Sequence, residues 1–577
     1  MGTWVLAIGN RGLLLLCTLA LCVGLVGGVG AWVFRLLIGF FHNLLFLGTF
    51  DLHYNATIHT PSDVWGAWII LVPVIGAVGV AWLVKTFAPE AKGHGVPEVM
   101  DAIYYNDGKI RPIVVVVKSL ASALSIGSGG AIGREGPIIQ IGATFGSMIG
   151  TWVAMPARQR VILMAAGAGA GIAATFNAPL GGIIFAVELL LVSINARSIL
   201  LVSIATVVAS YIGRLLLGPY PAFEVPALQI PSFGIEPGWS LLVFLIFGVL
   251  CGLAGTLFVK AIYWAEDRFD AMPGNYYTRH MLGMAIVGVM IYLVQRYAGH
   301  FYIQGVGYAT IMDVLMGALS DPGFLLLLFA LKMIATCLTL GSGASGGVFS
   351  PGLFMGATLG AAVGQLVHMI SPEIGVGIPV FAIAGMAAMI GSTTGAVFTS
   401  IIMLAEMTGD HNMILPTILC TASAYAVRRH LSPASIYTLK LNRRGHFVPE
   451  GLTAAVLSAQ QVQAMMSKEF TVLEKHAALP DSPGIVVWTE NGKIISTERR
   501  FVSLERPEEK LSEGRNRCFV VLAPDCSLVE ALNELTAHGA DVALISSQPG
   551  SLQADALVGV VTTAELGSAL KLAARLQ

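Results

Sequence analysis

Charged residues along most of this chain frame long apolar tracts. Arg11 and Arg35 bracket 23 residues without a charge (12–34), and Asp63 and Lys85 bracket another 21. From Met333 to Ser371 no acidic residue, lysine or arginine occurs. An apolar stretch of about 20 residues crosses a bilayer as a helix, and in lipid the backbone must satisfy its hydrogen bonds within that helix. The pattern predicts an all-α polytopic membrane protein. The first tract follows a basic residue, as a signal peptide does. It is too long for a typical signal core and lacks a clean small-residue cleavage site, so it reads as the first spanning helix. Near residue 440 the pattern changes. After Tyr437 come Lys440, Arg443 and Arg444, then a tail rich in Glu, Lys, Arg and Asp. Residues 1–440 are therefore expected to form the membrane part and 441–577 a soluble appendage. Basic residues beside a final apolar segment favour the cytoplasmic side, so the tail is expected in the cytoplasm; the plasma (inner) membrane is the expected location.

Composition narrows this further. The 577 residues are 55% hydrophobic and 12% charged, with 66 glycines, against about a quarter charged in average globular chains. A net charge of −1 gives no electrostatic case for nucleic acid. The seven cysteines are scattered, most of them in apolar tracts (Cys17, Cys22, Cys251, Cys337, Cys420), with no CxxC or Cys/His spacing that suggests a metal. No metal or other cofactor is expected.

An internal repeat organises the membrane part. GSGGAIGREGPIIQIGAT from Gly127 matches GSGASGGVFSPGLFMGAT from Gly341, 214 positions later, pairing Gly133 with Gly347 and Pro137 with Pro351. APLGGIIFAVEL from Ala178 matches AVFTSIIMLAEM from Ala396 at an offset of 218, placing Glu188 over Glu406. The halves run from about 13 to 220 and 237 to 440. Repeated halves in transporters surround a site near mid-membrane built from broken helices.

In the tail, Cys518–Leu522, Asp541–Ile545 and Ala556–Val561 read as strands, Leu528–His538 as a helix, and a further helix starts at Thr562. This β-α-β-β-α order resembles a CBS (cystathionine β-synthase) module. Its expected partner, about 458–500, has strands at Phe470–Leu473 and Ile485–Trp488. Only KHAALPDSPG lies between them, too short and proline-broken for the usual helix, so the first module reads as degenerate. CBS pairs often bind adenine nucleotides. The shortened module favours a bracing role over a nucleotide site.

Two features carry chemistry. Arg134 and Glu135, in GREGP (133–137), are the only charges between Lys118 and Arg158. An ionisable residue in mid-tract costs at least about 3 kcal/mol, so it commonly has a functional reason. A carboxylate resembles a small anion: ionised, it can occupy an anion site, and protonated, it can leave. From these two residues alone, a structural Arg134–Glu135 ion pair at a buried bend is the simpler reading. The second feature is glycine. GHGVP (93–97), GREGP (133–137) and GGVFSP (346–351) each open an apolar helix and end in proline, which suits a first helical turn. Helix N-termini offer backbone N–H groups to an anion, and glycine lets the backbone come close. Packing of helices through small residues is the plainer alternative.

These three stretches, with Tyr437 after the final apolar helix, resemble the four anion-site elements of the chloride channel/transporter (CLC) family, and the resemblance covers the chain from about residue 13 onward. It implies a homodimer with one pore per subunit, inverted repeats of tilted and broken helices, and transport of chloride or a similar small anion across a lipid bilayer. It also implies anion contacts from His94, Gly95, the Gly133, Arg134, Glu135 and Gly136 segment, and the Val348 and Phe349 amides. The Tyr437 hydroxyl would line the inner end of the site, and Glu135 would be the gate and proton carrier.

Two positions depart from the family pattern. Where the first motif usually carries serine, this chain has His94, which can donate while neutral and gains charge near pH 6 to 7. It could alter selectivity towards nitrate, fluoride or bicarbonate, make conduction pH-dependent, or merely cap the following helix. In family antiporters the helix after NAPL ends in two glutamates, the second carrying protons internally. Here Glu188 is kept and Leu189 fills the second position, so channel-like or weakly proton-coupled transport is expected, with exchange by another proton route as the alternative. Glu188 and Glu406 read as structural groups at helix ends, and the nearby His411 has no evident role. A membrane enzyme would need a nucleophile–base pair or metal cluster, and none stands out.

Overall fold

The computed structural model describes residues 12–566 apart from 62–64, 193, 220–222, 224–238, 372–375, 411–412, 447, 449, 451–460, 478–483, 503–509, 517, 527 and 549. His411 thus lies outside the described residues. The chain divides into two compact units, Met1–Gly451 and Leu452–Gln577.

The first unit is helical throughout. Its elements are α1 (Gly12–His42), α2 (Leu71–Phe87), α3 (Val96–Tyr105), α4 (Ile113–Gly127), α5 (Glu135–Trp152), α6 (Ala157–Phe176), α7 (Pro179–Phe185) and α8 (Ala196–Leu217). Then follow α9 (Trp239–Ala271), α10 (Tyr276–Ala298), α11 (Tyr308–Leu315), α12 (Pro322–Ser342), α13 (Phe349–Ile370), α14 (Ile378–Thr394), α15 (Val397–Thr408), α16 (Ile414–Leu431) and α17 (Ile436–Arg443). Among the described residues, eight helices are long and apolar enough to cross a membrane. Others, such as α3, α7 and α11, are too short to span, as broken helices around a mid-membrane site must be.

The repeat seen in the sequence is realised as packing. α5 lies on α6, and α13 on α14. A methyl group at Gly142 would strike the Gly167 carbonyl, and one at Gly356 would strike the Gly385 carbonyl. Small residues let these helix pairs approach backbone to backbone, which replaces the missing hydrophobic drive in lipid. Where the halves meet, Gly133 and Gly347 each donate an amide to the other's carbonyl, at 2.7 and 2.6 Å. Glu188, in the π turn that extends α7 (Ala186–Leu190), accepts from the amides of Phe398 and Thr399 at the start of α15. Glu406 of α15 accepts in return from the amides of Leu180 and Gly181 at the start of α7. Each glutamate thus caps the other's helix, satisfying donors that no helical carbonyl reaches. This reciprocity is what two halves of opposite sense produce.

A pair of lysines extends the symmetry beyond the two sequence blocks. Buried Lys118 donates to the carbonyls of Ala91 and Gly93 at 2.9 and 2.8 Å. Buried Lys332, 214 positions later, donates to those of Ile303 and Gly305 at 2.9 and 2.7 Å. They hold the loops that lead into two corresponding helix starts, GHGVPEVMDA at α3 and GVGYATIMDV at α11. In each, one glycine (Gly95, φ 88°; Gly307, φ 78°) turns the chain into the helix with a backbone only glycine adopts easily.

The second unit has two small sheets. One carries β1 (Phe470–Glu474), β2 (Gly484–Glu490), β3 (Lys493–Val502) and β4 (Lys510–Asn516), with β1 parallel to β2 and the rest antiparallel. The other carries β5 (Phe519–Leu522), β6 (Val542–Ser546) and β7 (Leu557–Thr562), with α18 (Leu528–Ala537) between β5 and β6. The second module follows the predicted order, and residues 563–566 begin its last helix. In the first, the strands β1 and β2 stand where expected, and β3 and β4 are additional. Ile485, Val487 and Ile494 pack with Val542, Leu544 and Val560 in one shared core.

Candidate functional site

Four helix starts converge. The loop before α3 is stitched to the loop before α13: the Gly93 amide donates to the Ala344 carbonyl at 3.0 Å, and the Gly346 amide to the Gly93 carbonyl at 3.2 Å. A Cβ on Gly95 would stand 2.8 Å from the Gly136 carbonyl oxygen, and one on Gly347 2.8 Å from the Gly136 amide nitrogen. Gly136 itself presses on the His94 carbonyl. The three glycine-rich stretches are therefore neighbours in space, and backbone contact between them leaves no room for side chains. The Gly133 amide is spent on Gly347, so at this start the donors left for a ligand lie further into α5.

Glu135 occupies the meeting point. Its side chain is buried, 1% exposed. One carboxylate oxygen accepts from the Ser350 amide in the first turn of α13 at 3.2 Å. The other accepts from the Tyr308 hydroxyl at 2.8 Å and from the Ser350 hydroxyl, which also touches Tyr308 at 3.0 Å. The carboxylate lies where a helix N-terminus offers its partial positive charge, which is where an anion would bind. Val348 and Phe349, buried beside it, form the N-terminal end of the same helix.

Arg134 is not paired with Glu135: among the described residues no ion pair joins them. Its guanidinium lies over the rings of Tyr308 and Phe176, 5.1 and 5.8 Å from their centroids. The ion-pair reading of the GREGP bend is therefore replaced by a carboxylate held by hydroxyl and amide donors, with the cation stacked on aromatic faces.

Tyr437 sits at the start of α17, 2% exposed. Ser435 and Thr438 form a capping box there, and the Tyr263 hydroxyl donates to the Ile436 carbonyl. His94 is also buried, with its ring edge-on to Tyr263 at 6.3 Å and its Nδ1 without a hydrogen-bond partner. Beyond this end opens a vestibule of about 570 Å³, lined among others by Lys92, Glu98, Glu266, Lys440, Arg443 and Arg444. Leu189 is buried in the π turn after α7. On the opposite end, a cleft lined by Tyr54, His59, Thr60 and Gln304 reaches Tyr308.

Sequence reasoning did not single out Tyr308 and Ser350. The signal for Tyr308 was present: GVGYATIMDV repeats GHGVPEVMDA at an offset of 212, which marks a fourth glycine-led helix start aimed at the same point.

A polytopic helical protein whose glycine-led helix starts surround one buried carboxylate is an anion-transport protein of the membrane. A family model described as voltage gated chloride channel matches residues 76–429. The chain belongs to that family. A relative from Vibrio parahaemolyticus, "H(+)/Cl(-) exchange transporter ClcA", is 35% identical over 391 residues, 66% of this chain and 80% of the relative. Among solved structures, a slow cyanobacterial Cl−/H+ antiporter is 28% identical, with a TM-score of 0.64 over 74% of this chain and 97% of its own. A eukaryotic CLC transporter, 17% identical, shares the fold over 96% of this chain and 98% of its own, with a TM-score of 0.63.

Proposed function

We propose that this chain moves chloride through a pore within each subunit, with the Glu135 carboxylate as the gate. The carrying observation is the position of that carboxylate at the N-terminus of α13, held by Ser350 and Tyr308 where an anion would sit. Ionised, it competes with the anion. Protonated, it loses the charge that holds it there and can leave. Leu189 has no proton to carry, so transport is channel-like or weakly proton-coupled. His94, in place of a hydroxyl, tunes which anion is preferred.

A second reading is anion/proton exchange by a different internal route. It is favoured by the names of the matched relatives, among them a proton/chloride exchange transporter. In both readings the protein is a homodimer in the plasma membrane. The basic run Lys440, Arg443 and Arg444 supports a cytoplasmic tail. The nine residues between β1 and β2 support a bracing rather than nucleotide-binding role for that tail.

Chloride efflux from liposomes tests the gate. Glu135→Gln is expected to raise the flux and abolish its dependence on pH; unchanged flux and pH response would overturn the assignment. A chloride gradient that drives protons uphill in the same vesicles selects exchange over channel-like transport.

A further inference from the structure

If protons accompany the anions at all, which is the exchange reading above, a carrier must stand in for the carboxyl that Leu189 lacks. The residues around the Tyr437 end point to one. A small cavity of about 10 Å³ lies between α9 and the loop before α3, lined by Lys92, His94, Ile262, Glu266 and Lys440 among others. It shares Lys92, Glu266 and Lys440 with the 570 Å³ vestibule. Its size suits a single water. Of the residues lining it, Glu266 is the one acid. His94 is 3% exposed, and its buried Nδ1 has no partner within the chain. A buried polar atom in a native protein is nearly always satisfied, by protein or by water.

On the far side, the His94 carbonyl packs against Gly136, the residue after Glu135. His94 therefore lines the cavity it shares with Glu266 and sets its own carbonyl against the segment that carries the gate. The vestibule's further acids, Glu90, Glu98, Asp267 and Asp270, do not line the small cavity, and the other charged groups nearby are cations held elsewhere or open to the vestibule. Lys118 of α4 is bound to the Ala91 and Gly93 carbonyls. Lys440 of α17 has its ammonium 2.8 Å from where a Cβ on Gly93 would stand, and Lys92 shares its cavity. Arg444 is paired with Glu98 of α3. The titratable neighbours left are Tyr263, whose hydroxyl is committed to Ile436, and Tyr437.

We propose that Glu266 and His94 form the internal proton path of this transporter. The Glu266 carboxylate takes a proton from vestibule water. Through one water in the small cavity, a proton reaches one ring nitrogen of His94 while the other nitrogen releases one towards Glu135, whose carboxylate accepts it. A ring flip restores the first tautomer. One proton is moved, and no other bond is made or broken. A histidine suits this task because it accepts at one nitrogen and donates from the other. The histidine at the family's serine position and the leucine at the proton position are then two sides of one rearrangement.

The test is simultaneous recording of chloride and proton movement in liposomes holding the full-length protein under a chloride gradient. Wild type is expected to drive protons uphill. Glu266→Gln is expected to lower the proton-to-chloride ratio at least about tenfold while chloride still moves, with Glu266→Asp restoring much of it. A wild-type ratio in Glu266→Gln overturns the path. If Glu266→Gln carries no chloride, His94→Asn in the same assay decides by its proton-to-chloride ratio, whatever its chloride flux, since a ratio lowered about tenfold supports the path and a wild-type ratio overturns it. If wild type itself moves no protons while Glu135→Gln still opens the pore, the exchange reading fails, and the path with it, but the gate stands.

Discussion

Tyr308→Phe tests the latch on Glu135 with the smallest change available. The substitution removes one hydroxyl, which donates to the Glu135 carboxylate at 2.8 Å and touches the Ser350 hydroxyl at 3.0 Å. The ring keeps its place: Phe223 packs on it edge-to-face at 5.2 Å, and the Arg134 guanidinium lies over it. A hydrogen bond to a charged acceptor contributes about 1.5–3 kcal/mol. Removing it weakens the closed state by that amount relative to an open state in which the carboxylate has swung away. At about 1.4 kcal/mol per factor of ten, the gate equilibrium moves about 10- to 100-fold towards open. Glu135 keeps the Ser350 amide and hydroxyl, so the pore still closes. Chloride efflux from liposomes at neutral pH should rise towards the ceiling set by Glu135→Gln without reaching it, and a pH dependence should persist. Flux equal to wild type, from protein that elutes as a folded species, would refute the claim that Tyr308 holds the gate shut.

Two further outcomes are expected. Glu188→Gln and Glu406→Gln each weaken a carboxylate that accepts two backbone amides, so each should lower stability by about 1–3 kcal/mol, read as an earlier thermal transition in detergent with chloride selectivity intact; unshifted transitions would mean the reciprocal caps contribute nothing. His94→Ser exchanges a ring for a hydroxyl at the inner end of the site and should change the permeability of nitrate or fluoride relative to chloride about two- to tenfold, the range of one neutral hydrogen bond; identical permeability sequences in wild type and variant would remove His94 from selectivity.

Much of this architecture was legible from residue patterns because lipid makes the rules strict. Apolar tracts, Gly-Pro helix starts and a lone mid-tract glutamate each have few readings in a bilayer. The block repeat placed Glu188 opposite Glu406, and the structure gives that pairing its physical meaning as mutual caps. Other parts were hidden for reasons that can be named. Tyr308 reaches Glu135 from 173 positions away, and the repeat that announces it shares only scattered residues with its partner. Lys118 marked only the edge of a charge-free stretch and Lys332 drew no reading, because nothing local shows that their ammonium groups end on loop carbonyls. The hairpin β3–β4 was missed because KIISTERRFV and KLSEGRN carry charges where alternation would otherwise show. Arg134 next to Glu135 invited an ion pair, and neighbours in sequence at a helix start point apart.

The mutual caps of α7 and α15 also set terms for how the protein is made. Glu188 is synthesised 210 residues before the Phe398 amide that it meets, and the Leu180 amide waits 226 residues for Glu406. At about 5–20 residues per second, the first half spends roughly 10–40 s in or near the membrane with a carboxylate and a helix start that lack their partners. Neither half can settle its own interior. A message cut short between the halves would yield a product whose Glu188 carboxylate lacks the amides that satisfy it, a bare charge in lipid.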